Sequence, residues 1–229
     1  MPYSRSSSRK SFESRIGALL AEANTAQKLS KSHPGIRDMV FQCAIFQTSA
    51  ALEEYLKLLI EGWAFSLKQH NLNKSLPDLP RGFLVSRRLQ RHFAQFAYTG
   101  DEAQLLKSIP KEYQAWPIFD DRAPLPAYFD GKLLHEKSAY PSFKNLKRLF
   151  FRVGIDQFEA KMNRLINGDM ETLVEGFQSI RTALAHSAPP ALTILDVKKN
   201  LRDITKLVSA IDRLFYKHVV ENGGSSCWI

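Results

Sequence analysis

Apolar residues recur three or four positions apart along most of the chain, the period that lines one face of a helix. Ile16, Leu19, Leu20 and Ala23 begin the series and predict a helix to about Lys31, broken by His33-Pro34-Gly35. From Ile36 to about Gln69 the repeat is longest, through Val40, Cys43, Ala44, Phe46, Ala50, Ala51, Tyr55, Leu58, Leu59, Trp63 and Leu67. Its charges gather at Glu53, Glu54, Lys57 and Glu61. That density predicts a long, mostly buried helix. Residues 70–83 carry Asn, Pro, Asp and Gly and are expected to form a loop. A basic helix follows over Leu84–Tyr98, with Arg87, Arg88 and Arg91 on one side and Leu84, Leu89, Phe93 and Phe96 opposite. A short helix around Asp101–Ser108 stops at Pro110.

Residues 110–142 break the rhythm. Pro110, Pro117, Pro124, Pro126 and Pro141 fall here, with Asp120-Asp121 and Asp130-Gly131 as turn signals and Trp116, Phe119, Tyr128 and Phe129 between them. This is an irregular, Pro-rich but ordered excursion, with a short hairpin expected at Phe129–Leu133; long segments of this kind often serve function or contacts. Helical periodicity returns in Lys144–Arg152, breaks at Gly154, and resumes over Asp156–Leu165. Asp169 is placed to cap a helix starting at Met170, whose stripe is Met170, Leu173, Val174, Phe177, Ile180 and Leu184. Pro189 and Pro190 must end it. The last helix spans about Asp196 to Val220, seamed by Leu201, Ile204, Leu207, Ile211, Leu214 and Val219, and stops at Gly223-Gly224. The expected fold is all-α: one helical domain over 1–229, a bundle of two long helices and a motif helix. Residues 1–14 are expected as a flexible basic tail, 70–142 as an insertion-like segment and 221–229 as a C-terminal tail.

Composition narrows the class. With 229 residues and 44% of them hydrophobic, the chain can bury a core without a disulfide or metal staple. Eleven Gly and eleven Pro are too few for an all-β protein with a turn every ten residues or so. Two cysteines, Cys43 and Cys227, give neither a disulfide framework nor a thiolate cluster, which suits a reducing cytoplasm. No apolar run is long enough to span a membrane. The Ser/Arg-rich start lacks the apolar centre of a secretory signal; it has the flavour of a transit peptide, but a solvated basic tail is the reading preferred. Lys and Arg number 32 against 23 Asp and Glu, a net charge of +9 that favours polyanions or anionic surfaces.

Candidate chemistry lies at Arg181 and His186. Breaking RNA without a metal needs a group to move protons at a 2′-hydroxyl and a 5′-oxygen, and a fixed cation on the phosphate. Imidazole titrates near neutrality and guanidinium stays charged, so His and Arg suit those tasks. The bare spacing carries no weight, since Arg-x4-His occurs three times: Arg87/His92, Arg181/His186 and Arg213/His218. Position separates them. Five residues turn through about 140° on an ideal helix, so the two groups converge only where a helix unwinds or a second chain helps. Arg181/His186 stands before the proline stop, at a helix end that suits cations. The other two pairs read as mid-helix, solvated charge on an exposed face.

The segment LVEGFQSIRTALAHS, Leu173–Ser187, followed by a long last helix, resembles the HEPN (higher eukaryotes and prokaryotes nucleotide-binding) superfamily. SAALEEYL, Ser49–Leu56, and NLKRLFFRVG, Asn145–Gly154, are similar to the early and middle segments of its prokaryotic RiboL-PSP-HEPN branch. The resemblance covers most of Ile36–Val220 and matches 70–140 weakly. It implies a bundle that forms a homodimer with both motif helices lining one cleft, and a metal-independent endoribonuclease that cleaves single-stranded RNA and needs no cofactor. Arg181 would hold the phosphate and His186 would move protons. Glu53 matches an acidic position that could orient the motif, although a carboxylate paired with Lys57 explains it equally. Thr182 stands where relatives often carry Asn, Asp or His, and keeps a hydroxyl that can donate and accept. Position 188 is Ala rather than the Tyr of toxins silenced by a nucleotidyltransferase. The resemblance further implies a toxin or antiphage-defence effector, with an antitoxin or defence-system partner.

Other readings compete. A non-catalytic HEPN-like module would bind RNA, a nucleotide or a partner protein, and a basic DNA-binding or scaffold protein would use charge alone. No Gly-rich phosphate loop, His-Glu-x-x-His or paired-cysteine spacing occurs. Weaker RNA contacts are expected from Arg87, Arg88, Arg91, Lys147 and Arg148, within the basic stretches Arg81–His92 and Lys144–Arg152; Lys198–Arg202 is a third such stretch. Trp116, Phe119, Tyr128 and Phe129 could stack on bases, though core filling is the simpler use.

Overall fold

The computed structural model describes residues 2–29, 31–70, 76–138, 140–186 and 190–228. Nine α-helices and no strands occur among them. Helix α1 (Ser7–Gln27) pairs with α2 (Pro34–Gln69), and Pro34 opens α2 where its missing N–H costs nothing. Helix α9 (Ile194–Gly223) closes against both, giving a core of three long helices. Trp63 lies at its centre, edge-on to Phe129 and Phe215 at 6.5 and 5.7 Å, with Tyr55, Phe41 and Leu59 also buried. Each such side chain contributes roughly 1.5–3 kcal/mol by leaving water.

Helices α6 (Phe143–Arg152), α7 (Phe158–Ile166) and α8 (Met170–Leu184) pack beside this core. Gly154 turns the chain between α6 and α7 at φ +98°, and a Cβ there would meet Pro77 at 2.9 Å. Between α2 and α6 run α3 (Asp78–Thr99), α4 (Glu102–Ser108), a 3-10 segment (Ile109–Phe119) and α5 (Gly131–His135).

Several expectations change. Helix α3 starts at Asp78, inside the expected loop, because Pro80 falls in its first turn, where a missing N–H is tolerated. Residues 71–75 of that loop lie outside the described residues. Phe93 and Phe96, expected on the buried side of α3, are exposed. The expected hairpin at Phe129–Leu133 is instead α5: the Asp130 side chain caps it by accepting from the Lys132 N–H, so Asp-Gly acts as a helix start. Gly131 seats α5 tightly on α2, since a Cβ would stand 2.7 Å from the Glu61 Cα, and His135 adds a 2.7 Å bond to Glu61.

The described residues of both expected tails are packed. Ser6 caps α1, and its side chain and N–H bond Asp212 of α9. Tyr3 donates to Asp212 at 2.5 Å and accepts from Arg9 at 2.6 Å. Burial, followed by that bond to the carboxylate, pushes the Tyr3 phenol up to about 12. At the other end Cys227 is buried, and the Trp228 indole donates to Ser4 O at 3.0 Å. A polar N-terminal sequence reads as solvated only because its partner, Asp212, lies some 200 residues away.

Candidate active site

Arg181 is positioned by the helix that carries it. Asp169 caps α8, accepting from the Glu171 and Thr172 N–H groups, each at 3.2 Å. The Thr172 hydroxyl, aided by these amides, holds the Asp169 carboxyl below its usual range. Met170, Val174, Phe177 and Leu184 bury the inner face of α8. One turn before Arg181, Gln178 is also buried; its amide donates to Pro141 O at 3.1 Å and accepts from the Tyr140 hydroxyl at 2.7 Å. That hydroxyl accepts in turn from Arg181 Nη1 at 3.0 Å, and the guanidinium carbon lies 5.2 Å from the Tyr140 ring centre. Glu175 adds a bond from the Phe143 N–H at 3.2 Å. The lead-in and start of α6 therefore grip α8 and hold the Arg181 guanidinium.

His186 is placed differently. Helix α8 ends at Leu184, with Ala185 as its cap. The Ala185 and His186 N–H groups bond three residues back, to Thr182 O at 3.0 Å and Ala183 O at 3.3 Å, so the last turn tightens. His186 thus stands just past the helix and is exposed, with no hydrogen-bond partner for its ring among the described residues. Ser187, Ala188 and Pro189 lie outside the described residues. Arg181 and His186 share one end of α8 but are not bonded to each other. Arg181 also has no carboxylate within ion-pair reach among the described residues. Its remaining donors are open to an anion.

The other candidates separate. Glu53 pairs with Lys57 at 2.7 Å and, among the described residues, makes no bond to the motif. Thr182 is exposed, without a side-chain bond among the described residues. Arg87 is paired with Glu136, Arg88 lies 3.7 Å from Glu112 and 4.2 Å from the Tyr128 ring centre, and Lys147 pairs with Glu159 at 2.8 Å. Arg91 and Arg148 are exposed and unpaired among the described residues. Of the aromatic candidates, Phe129 is core and Tyr128 is half-buried, whereas Trp116 and Phe119 are exposed.

The two rival Arg-x4-His pairs lie within helices. His92 bonds Glu112 at 3.2 Å. His218 departs from the expected solvated face: it is largely buried, bonded to Val153 O at 2.9 Å and close to Trp63 and Phe215. Burial pushes its imidazole below the usual 6.5.

Sequence reading missed Tyr140 and Gln178. Gln178, three residues before Arg181 on the same face, carries a usable signal. Tyr140 has none, since it arrives from another segment. Among the described residues no three His, Cys, Asp or Glu side chains gather as a metal site, and no helix is long and apolar enough to cross a membrane.

With Arg181 at a capped helix end and a lone imidazole just beyond it, comparison with known families is decisive. The RiboL-PSP-HEPN family model matches residues 11–217. The chain belongs to the RiboL-PSP-HEPN family. The match takes in α8 with Arg181 and His186, and also the excursion, which this HEPN protein therefore carries within its domain. No curated protein and no solved structure matches the chain.

Proposed function

We propose that this protein is a metal-independent endoribonuclease acting on single-stranded RNA as a homodimer. The observation that carries the reading is the end of α8. A guanidinium is fixed by Tyr140 with donors to spare, and an imidazole without partners follows it in solvent. On an ideal helix five residues turn through about 140°, which sets the two side chains of one copy apart around the axis. Two copies related by a two-fold axis can complete one cleft. In that cleft one His186 takes the proton from a 2′-hydroxyl, which attacks the adjacent phosphorus. The other His186 returns a proton to the departing 5′-oxygen, leaving a 2′,3′-cyclic phosphate and a 5′-hydroxyl. Arg181 stabilises the charge that builds on the phosphate.

Support for pairing comes from α2. Ile36, Met39, Cys43 and Ala50 lie exposed on one face, opposite the side that buries Phe41, Ile45 and Leu52. The family resemblance extends the proposal to a cytoplasmic toxin or antiphage-defence effector, held in check by an antitoxin or defence-system partner.

The test is digestion of single-stranded RNA in EDTA. The wild type is expected to yield cyclic-phosphate ends, and His186→Ala to lose about 10³-fold in rate with an unchanged melt. Sedimentation should give twice the 26.1 kDa chain mass, and Met39→Glu should return it to one. Intact RNA with both proteins would leave the second reading, a non-catalytic module for a protein partner. The exposed Tyr98, Leu106 and Tyr113 on the α3–α4 arm and its 3-10 segment favour that one.

A further inference from the structure

A row of cations that the proposed site does not use lies along α9. Lys198, Arg202, Lys206, Arg213 and Lys217 fall within about 100° of one another around the helix, over a rise of about 28 Å. They edge two adjoining grooves. The first, about 600 Å³, lies between α1 and α9 with Ile16, Leu20 and Leu165 as its apolar wall. The second, about 370 Å³, shares Leu165 and Arg213 and adds Lys161 and Arg164 of α7.

Among the described residues, Lys198, Arg202, Lys206, Lys161 and Arg164 have no ion-pair partner. The one carboxylate lining either groove is Glu221, which lies 3.7 Å from Lys217. Glu13, near the rim, is held by Arg5 and Arg9. Lys198–Arg202, the third basic stretch of the sequence, contrasts directly with the other two, on α3 and α6. The groove beside Lys147 and Arg148 contains Asp156 and Glu159, and on α3 Arg87 and Arg88 both face carboxylates.

We infer that this α9 track binds the phosphate backbone of single-stranded RNA, outside the cleavage cleft. Lys198, Arg202 and Lys206, unneutralised cations at successive helical turns, match a polymer with regularly spaced negative charge. The apolar wall offers a surface for sugars and bases. The concave shape, bounded by α1 and α7, suits a strand better than a flat lipid surface. Helix α9 starts eight residues after His186, so the track leads away from the end of the bundle that holds the motif. It gives the enzyme a grip on the substrate independent of the bond being cut. The choice of RNA as the polyanion rests on the proposed ribonuclease reading.

The test uses full-length protein carrying His186→Ala and a labelled single-stranded RNA of mixed sequence, followed by fluorescence anisotropy across salt concentrations. Lys198→Glu/Arg202→Glu/Lys206→Glu is expected to weaken binding at least about 30-fold, with a salt slope lower by about 2, as three lost phosphate contacts require. Lys144→Glu/Lys147→Glu/Arg148→Glu makes the same change in net charge and should weaken it less than about 3-fold. The substituted α9 side chains are mostly exposed, so the melt should hold and show that the fold survives. Undiminished binding by the α9 variant, an equal loss from the α6 variant, or equally tight α9-dependent binding to phosphatidylserine vesicles would each overturn the inference. The cleavage reading is judged apart: wild type that cuts RNA while the α9 variant binds normally sinks this inference alone. Wild type that never cuts but binds through α9 sinks the other.

Discussion

Two polar clusters in this molecule are built in opposite ways. Around Asp212 the carboxylate is excluded from water, and Tyr3 and Ser6 from the lead-in to α1 converge on it with Tyr55 from α2. At the end of α8, Arg181 has one hydrogen-bonding partner and the His186 ring none among the described residues. The first cluster meets its needs internally and so adds stability and a fixed register. The second leaves donors in solvent, where they contribute little to folding and stay available to a ligand. A buried satisfied network thus serves the fold, and an exposed incomplete one is where the proposed chemistry is placed.

The contrast can be pressed hardest at Asp212. Asp212→Ala removes the acceptor shared by four donors, the Tyr3, Ser6 and Tyr55 hydroxyls and the Ser6 N–H, and should cost about 3 kcal/mol, roughly 10 °C in melting temperature, with RNA cleavage per folded molecule unchanged. A melt as high as wild type would show that the N-terminal clasp is ornamental. A smaller effect is expected at Tyr140→Phe, which removes the hydroxyl between Gln178 and Arg181. Here kcat/KM should fall about 10-fold while the melt barely moves. A lower melt with normal kcat/KM would class Tyr140 with the Asp212 cluster.

The smallest change concerns His218. Burial, acting first, and Lys161 beside it lower its pKa, while the bond to Val153 O and nearby Glu221 act the other way. The folded state therefore holds the ring neutral where the unfolded chain would take up a proton. The stability this provides is present above pH 6.5 and is lost as pH falls below it, by up to about 1.4 kcal/mol per pH unit. Urea melts between pH 7 and 5 should show that slope in wild type and a shallower one in His218→Gln. Equal slopes would mean the ring is solvated in the fold.

Much of this organisation was legible along the chain, because helices announce themselves locally. The α2 repeat, the Asp169 cap and the placing of Arg181/His186 at a helix end follow from period and end signals alone. What escaped depends on partners remote in sequence. Residues 2–6 look like a tail until Asp212 is brought to them. His218 looks like surface charge until Gly154 and Val153 close over it. Tyr140, sitting in an irregular stretch, has no periodicity to betray that it braces Arg181. The basic stretches of α3 and α6 drew attention by density, yet carboxylates from other elements answer Arg87, Arg88 and Lys147, whereas Lys198, Arg202 and Lys206 of α9 have no ion-pair partner among the described residues.

The hydrogen bond from Trp228 to Ser4 has a practical corollary. It makes the two extremities of the described chain neighbours, so a donor dye attached at one and an acceptor dye at the other would glow as a coupled pair in the native state. Prising the last helix loose would uncouple them, which turns the seam between beginning and end into an optical gauge of whether the whole bundle is shut.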